Sequence, residues 1–398
     1  MKGDDPLMQA PVRVAHIASW VRSIGGVETL LARHAEKDAG GGLSATQFSL
    51  FDRPPYGGVR EENYVPLRFN WRSIPWRMRR QISGELARLA GAVTVWHGGW
   101  GLPWFADSDH SSRRVVCLWD GPQDFGSWLP QMRPWLDGVI SMSQSATDAA
   151  REMLPDWPRE RFQFLKVPME FPSELSVART CRDEWVIGSA GRLVTPQKRC
   201  ERLVPFVEEL RRLKVNYRLE INGDGPMKSW LQQKLGDDKR VEFLGWQDRE
   251  LYWNRMQDWD AYVSFTDHEG GPIVLLEAMA AGALPVFPAI GGSLGDDYLS
   301  DLEVTCQYPA GDPIAAARVM RDLAETPVDV ANRVRCVARE SATSHTPTQY
   351  DADFASFTHS IAAMPRISLK PTGTRSTQWF DWLPLGLITR AFPSALWR

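Results

Sequence analysis

Short apolar runs alternate along the chain with stretches in which apolar residues recur at helical spacing. In the first half, runs typical of buried strands cover residues 12–18, 92–96, 114–118 and 138–141, and residues 27–37 space Leu30, Leu31 and His34 along one helix. In the second half, strand-type runs cover residues 185–190, 217–221, 241–245 and 262–265. This alternation predicts an α/β fold built on parallel sheets.

The chain has 398 residues, which is too long for one ordinary core. We expect two Rossmann-like domains, residues 1–178 and 179–348. Residues 349–398 would add a helix and an aromatic tail, which either packs back on the first domain or lies at a membrane surface. Hydrophobic residues make up 43% of the chain, which favours ordered packing, and a formal net charge of −3 gives no global argument for nucleic acid.

The amino-terminal residues and the cysteines indicate a cytoplasmic protein. Residues 1–5 lead into a strand-like run without the apolar core of a signal peptide, and no window of 18 apolar residues occurs. The five Cys lack a disulfide or Cys-x-x-Cys pattern, and with the seven His they are scattered along the sequence. The sequence therefore predicts a reducing compartment and no metal cluster.

One loop in the second half has the sequence of a phosphate-binding helix start. Gly271 follows the strand-type run, and Pro272 suits the first helical position because its missing N–H is not needed there. The free amides of Ile273 and Val274 would then face the loop, at the positive end of the helix dipole. We expect this loop to bind phosphate.

Two carboxylates flank that helix start. Glu269 precedes it and Glu277 lies eight positions later, inside the helix. At about 1.5 Å of rise per residue, the two carboxylates would lie roughly 10 Å apart. That separation is too large for the roughly 5 Å pair of a retaining glycosidase, so we expect Glu269 and Glu277 to hold two ends of one ligand.

Residues 260–292, with these two acids and the following Ala281-Gly282-Ala283, closely resemble the donor-site signature of glycosyltransferase family 4. That family consists of retaining group 1 glycosyltransferases with the GT-B fold, in which two Rossmann-like domains face each other across a cleft. The resemblance implies that Glu269 contacts hydroxyls of the donor sugar and that Glu277 holds the ribose of the nucleotide. Without it, a solvent-exposed loop residue and a helix-surface residue would be the more common interpretation.

A second element of the same resemblance follows the strand-type run 185–190. There Gly191-Arg192 begins a short loop that ends at Lys198, where the family has Gly-Arg, a loop and Lys. The implied leaving group is a nucleoside diphosphate. Arg192 would grip phosphate oxygens in a bidentate fork while Lys198 supplies a point charge. The two cations would replace a divalent metal, so we expect neither a metal nor a cofactor.

The first half matches the family only in outline. Gly25 and Gly26 form a turn that lacks the Gly-x-Gly-x-x-Gly pattern, which disfavours a nicotinamide cofactor, and in relatives this loop lies beside the donor phosphates and the acceptor. Many relatives place a sugar-contacting His where this chain has Trp119 and Asp120. Trp119 would stack on a sugar face and Asp120 would accept a hydroxyl hydrogen bond, whereas His97 is the candidate replacement for the missing His. Simple packing of Trp119 is the alternative.

A basic segment combines cations with indoles: Arg68, Arg72, Arg77, Arg79 and Arg80 with Trp71 and Trp76, and no acid between them. This composition fits an anionic lipid surface or a polyprenyl-diphosphate acceptor, and a solvated basic face is an equal alternative. Nothing else in the chain marks a nucleic-acid module. The expected location is therefore cytoplasmic, with association to the inner face of the cell membrane left open.

Together these patterns favour a retaining hexosyltransferase that uses a nucleoside diphosphate sugar and a sugar, lipid-linked sugar or glycan acceptor, in assembly of a cell-surface polysaccharide or glycolipid. Two alternatives stay open. One is a sugar-nucleotide 2-epimerase of the same fold. The other is a nucleotide-sugar-binding protein without catalytic activity, which the replacement of the family's His by Trp119 makes credible.

Overall fold

The structure, a computed structural model, describes residues 10–22, 26–52, 62–89, 91–105, 113–119, 121–172, 175, 179–180, 182–195, 197–290, 294–299, 301–344, 346–367 and 379–391. The chain divides into two compact units. The first comprises Met1–Pro168 and Pro347–Arg398, and the second comprises Met169–Thr346. The first unit therefore takes residues from both ends of the chain.

The amino-terminal part of the first unit alternates strands and helices. Its strands are β1 (Val12–Ala18), β2 (Leu43–Ser49), β3 (Tyr64–Pro66), β4 (Val93–His97), β5 (Arg113–Leu118), β6 (Gly138–Ser141) and β7 (Phe162–Phe164). Its helices are α1 (Gly26–Lys37), α2 (Pro75–Ala87), α3 (Leu102–Phe105), α4 (Pro122–Phe125), α5 (Leu129–Met132) and α6 (Gln144–Met153). The strands pair in parallel in the order β3-β2-β1-β4-β5-β6-β7.

The second unit repeats this plan. Its strands are β8 (Trp185–Ala190), β9 (Tyr217–Asn222), β10 (Val241–Gly245), β11 (Ala261–Val263), β12 (Leu284–Ala289) and β13 (Gln307–Pro309). Its helices are α7 (Leu203–Arg212), α8 (Lys228–Leu235), α9 (Arg249–Met256), α10 (Ile273–Ala280), α11 (Leu294–Leu299), α12 (Pro313–Ala324) and α13 (Val328–Thr343). The strands pair in parallel in the order β10-β9-β8-β11-β12-β13.

Both sheets have the doubly wound order of a Rossmann fold. In such a sheet the strand order reverses at one point, which lies between β1 and β4 in the first unit and between β8 and β11 in the second. Ligands bind outside the carboxyl ends of the strands at that point. Ligand-binding residues are therefore expected in the loops that follow these four strands.

The last part of the chain returns to the first unit. Helix α14 (Pro347–Ala363) contacts β1 and β4, and Leu385 and Ile388 of α15 (Leu385–Ala391) lie in the core of this unit. The backbone N–H of Leu385 donates to the Ser73 carbonyl at 2.8 Å. Among the described residues, no helix is both long and apolar enough to cross a lipid bilayer.

The strand predictions are confirmed at all eight positions, with ends that differ by at most a few residues. They succeed because a parallel strand is buried on both faces and reads as a continuous apolar run. The helix predicted over residues 27–37 is observed as α1, and it buries Leu30, Leu31 and His34. The α/β fold with two Rossmann-like units is therefore the fold of this chain.

Candidate functional site

Two loops of the second unit meet at the point where its strand order reverses. One follows β8 and the other follows β11, and these strands pair directly. The carbonyl of Gln197 accepts hydrogen bonds from the Asp267 backbone N–H at 2.9 Å and from the Thr266 hydroxyl at 3.2 Å. The Gln197 amide in turn donates to the His268 carbonyl at 3.3 Å. These bonds hold the two loops against each other.

Lys198 and Glu269 join the same loops through their side chains. The Lys198 ammonium contacts the Glu269 carboxylate, with the side chains 25% and 12% exposed. Arg192 is exposed, and its guanidinium donates to the Gln197 side-chain carbonyl at 3.2 Å. Within the described part of the chain, Arg192 forms no ion pair. Three of the four principal residues predicted from the sequence therefore lie on two contacting loops.

A small pocket of about 30 Å³ opens between these loops. Its lining includes Gly191, Arg192, Leu193, Lys198, Ser264 and Phe265. Arg192 and Lys198 thus border one cavity at the carboxyl ends of the strands.

Glycines in the loop after β9 support the loop that presents Arg192. The backbone N–H of Leu193 donates to the Asp224 carbonyl at 2.9 Å. A Cβ atom at Gly223 would lie 2.0 Å from the Gly191 carbonyl oxygen, and one at Gly225 would lie 2.5 Å from the Leu193 carbonyl oxygen. Only glycine allows so close a backbone approach, so the sequence Gly223-Asp224-Gly225 helps to fix the loop around Arg192.

Asp267 fixes the far end of the β8 loop. It contacts the guanidinium of Arg199 and accepts a bond from Arg202 at 2.5 Å, while Arg202 also donates to the Phe265 carbonyl at 2.9 Å. Arg199 has a φ of 48°, a backbone conformation that this ion pair helps to hold. Asp267 could not be predicted as a site residue, because a carboxylate within this segment has no sequence signal of its own.

Glu277 lies on α10 and has a different partner from Glu269. The Tyr252 hydroxyl donates to its carboxylate at 2.8 Å. Burial raises the pKa of Glu277 to about 7, and the Tyr252 bond and the charge of Arg249 offset only part of that effect. Tyr252 was missed because it belongs to α9, before β11, where the sequence shows no motif. The separation of about 10 Å between the two carboxylates stays a prediction.

The raised pKa of Glu277 predicts a pH-dependent stability. The unfolded chain releases the Glu277 proton near its usual pKa of 4.5, whereas the folded chain keeps it until about 7. The folded state therefore binds more protons in this window, and its stability falls as the pH rises. We expect Glu277→Gln to gain up to about 3 kcal/mol in free energy of unfolding relative to wild type between pH 4.5 and pH 8. Urea unfolding across that range measures it, and a pH-independent difference would contradict the assignment.

The helix start differs from the prediction. Pro272 is the residue before the helix, with φ −74° and ψ 75°, and α10 begins at Ile273. The Ile273 N–H donates to the Gly271 carbonyl at 2.8 Å, which closes an inverse γ-turn over Pro272. The prediction of a free Ile273 amide is therefore wrong, and the Val274 amide is the remaining candidate in this turn for binding phosphate.

The first-unit predictions fall at the carboxyl ends of β1, β4 and β5. Gly26 is the exposed first residue of α1, His97 is the last residue of β4, and Trp119 follows β5. The rings of His97 and Trp119 stack with centroids 5.9 Å apart. Gly25 and Asp120 lie outside the described residues, as do residues 291–292 of the signature segment.

The expectation that the histidines are scattered is wrong for part of the first unit. His16, His34 and Asp38 bring their ligand atoms within 4.8 Å of one another, and His97 contacts His16. Sequence spacing hides this cluster because β1 and β4 pair across a long connection, whereas His34 and Asp38 are only four residues apart.

Comparison with known proteins agrees with this geometry. Residues 184–326 match the family model described as "Glycosyl transferases group 1", and this segment contains both site loops. No curated protein sequence is significantly similar to the chain.

Solved structures extend the likeness to both units. Sucrose-phosphate synthase from Thermosynechococcus elongatus has a TM-score of 0.68 and 17% identity over 88% of this chain and 99% of that chain. The lipopolysaccharide outer core galactosyltransferase WaaB has a TM-score of 0.65 and 18% identity over the same shares. S. aureus TarM, solved with UDP and α-GlcNAc-glycerol, has a TM-score of 0.56 and 15% identity over 69% of this chain, and the match spans only 58% of TarM.

Two Rossmann-like units with these structural neighbours define the GT-B fold. Together with the matched domain, they support a glycosyltransferase as the class of protein.

Proposed function

We propose that the chain is a retaining glycosyltransferase that moves a hexose from a nucleoside diphosphate sugar to an acceptor hydroxyl. The contact between Lys198 and Glu269 beside Arg192 carries this proposal. One loop supplies two cations suited to a diphosphate, and the facing loop supplies an acid suited to sugar hydroxyls. The matched family model includes both loops, and TarM, one of the structural neighbours, was solved with UDP.

In this proposal the diphosphate binds beside Arg192 and Lys198. Negative charge grows on the diphosphate as the glycosidic bond opens, and oriented cations stabilise that charge without reorganising. Lys198 is already held in place by Glu269, so it gains a second anionic partner when the donor binds. Arg192 can turn its fork to phosphate oxygens, because its side-chain partner among the described residues is the neutral Gln197 amide.

The two acids act on the rest of the donor. Glu269 accepts hydrogen bonds from hydroxyls of the transferred sugar, and Glu277 accepts them from the ribose, with Tyr252 fixing its carboxylate. The acceptor attacks from the face that the diphosphate leaves, and a diphosphate oxygen takes the acceptor proton. This route gives retention and needs no dedicated protein base.

A panel of UDP-, GDP- and ADP-hexoses tests the function. Transfer to an added sugar acceptor, with the anomeric configuration of the donor kept in the product, is the expected result by NMR. Donor binding without turnover would favour the silent nucleotide-sugar-binding protein. Inversion at C2 of the donor would favour the 2-epimerase, and inversion at the anomeric carbon would overturn retention.

A surface of the first unit favours a role at a membrane. Residues 379–391 pack beside residues 68–80, with the Gly386 N–H bonded to the Trp71 carbonyl at 2.7 Å and the Trp76 ring stacked on Trp382 at 4.8 Å. Trp71 and Trp382 are 62% and 54% exposed. Exposed indoles beside arginines suit an anionic lipid surface. A membrane-bound acceptor fits assembly of a cell-surface polysaccharide or glycolipid, and one structural neighbour, WaaB, is named as a lipopolysaccharide outer core galactosyltransferase.

The affinity of the protein for anionic lipid vesicles tests this proposal. We expect Arg72→Gln/Arg77→Gln to weaken binding to phosphatidylglycerol vesicles about 30-fold, because each arginine near an anionic surface contributes about 1 kcal/mol. The matched control is Arg133→Gln/Arg159→Gln, which removes two exposed arginines elsewhere on this unit. Equal binding of wild-type protein to phosphatidylcholine vesicles would contradict the proposal.

A further inference from the structure

A chain of hydrogen bonds runs through the interior of the first unit and has no part in the proposed donor chemistry. His16 Nε2 and His34 Nδ1 lie 2.9 and 2.8 Å from the two oxygens of Asp38. His16 Nδ1 lies 2.9 Å from His97 Nε2, and His34 Nε2 lies 3.0 Å from the Tyr350 hydroxyl. His16, His34 and Asp38 are buried.

The charges within this chain are set by burial and by mutual contact. Burial alone would raise the pKa of Asp38, but the charge of His34 and the bonds from both imidazoles outweigh it and hold that pKa below its usual range. Burial lowers the pKa of His16 and lowers that of His97 further, and repulsion between the imidazoles adds to both shifts. At neutral pH, Asp38 is therefore ionised while His16 and His97 are neutral.

These protonation states allow one arrangement of hydrogens along the hydrogen bonds from Asp38 through His16 to His97. The ionised carboxylate of Asp38 can only accept, so His16 carries its proton on Nε2. The neutral His16 ring then has a lone pair on Nδ1, which accepts from Nε2–H of His97. His97 is neutral as well, so its Nδ1 bears a lone pair.

Among the residues that the structure describes, that lone pair has no hydrogen-bond partner, although the atom is inaccessible to solvent. The Nε1–H donor of Trp119, whose ring stacks on His97, is also buried without a partner. The indole N–H groups of Trp96, Trp135 and Trp157 are also buried without a partner among the described residues. His97 and Trp119 are distinguished from them by having an acceptor and a donor side by side at the ends of neighbouring strands. His97 is the last residue of β4 and Trp119 follows β5, the neighbouring parallel strand. β4 borders the point where the strand order of this unit reverses.

We propose that His97 and Trp119 form a hydroxyl-binding subsite of the first unit, and that Asp38 and His16 position His97 by fixing its tautomer. A hydroxyl group can donate to the Nδ1 lone pair and accept from an indole N–H, which matches the two unpartnered atoms in kind. The ligand class is a polyol, and its identification as a sugar substrate rests on the proposed function. The proposed tautomer of His97 does not depend on the proposed function.

Nitrogen NMR of histidine-labelled protein tests the positioning role. The expected spectrum at neutral pH shows His97 with its proton on Nε2 and an unprotonated Nδ1. His16→Phe removes the acceptor for that proton and should yield a mixture of His97 tautomers. His16→Gln supplies both an amide carbonyl for His97 and an amide N–H for Asp38, so it should restore the single tautomer. A wild-type His97 that is protonated on Nδ1, or doubly protonated, would overturn the proposed positioning of His97 by Asp38 and His16.

Titration with free hexoses and methyl hexosides, in the absence of any nucleotide, tests the subsite. We expect the resonances of His97 Nδ1 and the Trp119 indole N–H to shift together. Trp119→Phe should weaken hexose binding about tenfold, the effect of losing one oriented hydrogen bond, while leaving the His97 tautomer unchanged. A single His97 tautomer with no response of either resonance to any sugar would overturn the subsite and keep the positioning.

Metal analysis adds a further check, because the ligand atoms of His16, His34 and Asp38 lie close enough to hold a metal ion. We expect purified protein to retain no metal after chelation. One tightly held zinc per chain would overturn the proposed positioning. Zinc would bind His16 Nε2 and His34 Nδ1, the nitrogens that donate to Asp38 in the proposed arrangement. None of these measurements uses the donor, so a failed subsite is distinguishable from a failed transferase assignment.

Discussion

The Glu269→Ala variant is expected to lose sugar transfer by about a thousandfold while keeping its fold. Glu269 is proposed to accept bonds from sugar hydroxyls, and each hydrogen bond to a charged group contributes about 1.5 to 3 kcal/mol, so two of them account for this loss. The fold should persist because Glu269 lies in a loop and its ion pair with Lys198 joins two loops at the edge of the sheet rather than residues of the core. Initial rates at saturating donor measure the loss of transfer, and a thermal melt measures whether the variant keeps its fold.

The matched control for Glu269 is Glu303→Ala. Glu303 also pairs with a cation, Arg333, at 3.2 Å, but both side chains are about half exposed and lie away from the two site loops. This control should transfer sugar at the wild-type rate. If Glu269→Ala transferred at that rate too, the proposed contact with the sugar would be wrong.

Loss of the Lys198 ammonium should lower kcat by about 10²- to 10³-fold, the usual effect of removing one oriented group that stabilises charge in the transition state. Lys198→Met keeps much of the aliphatic stem and removes only the charge. KM for the donor should rise less than kcat falls, because charge on the diphosphate is largest when the glycosidic bond is breaking.

Lys234→Met serves as the control for Lys198, since Lys234 is an exposed residue of α8 in the same unit. A second comparison separates chemistry from binding. An aryl glycoside donor carries no diphosphate for Lys198 to neutralise, so it should narrow the difference in kcat between Lys198→Met and wild type. A gap of equal size for both donors would exclude neutralisation of the diphosphate as the role of Lys198.

The sequence was sufficient to predict the elements and the two loops of the candidate site. Buried parallel strands read as apolar runs, and Arg192, Lys198 and Glu269 stand in the loops that follow two such runs, where the pairing of β8 with β11 brings the loops together. Tyr252 could not be predicted as the partner of Glu277, because it lies on another helix 25 positions earlier. Likewise, His16 and His97 are 81 positions apart and meet only through the pairing of β1 with β4.

The division of the chain also differs in detail from the one that the sequence suggested. The second unit begins at Met169, because the residues that follow pack on α9. There the Arg249 guanidinium donates to the Glu170 carbonyl at 3.1 Å, and the Phe171 ring lies edge-on to Trp253. Local sequence patterns cannot predict these contacts, because they depend on a helix some 80 residues further along the chain.

The return of α14 to the first unit determines the order in which the chain can mature during translation. Residues 169–346 form one continuous stretch, so the second unit is complete while the ribosome is still adding the final segment. The first unit must wait, because Tyr350 and Phe354 cover His34 from helix α14. A nascent chain stopped before residue 347 would therefore carry a finished carboxyl-terminal half behind an amino-terminal half with an open core.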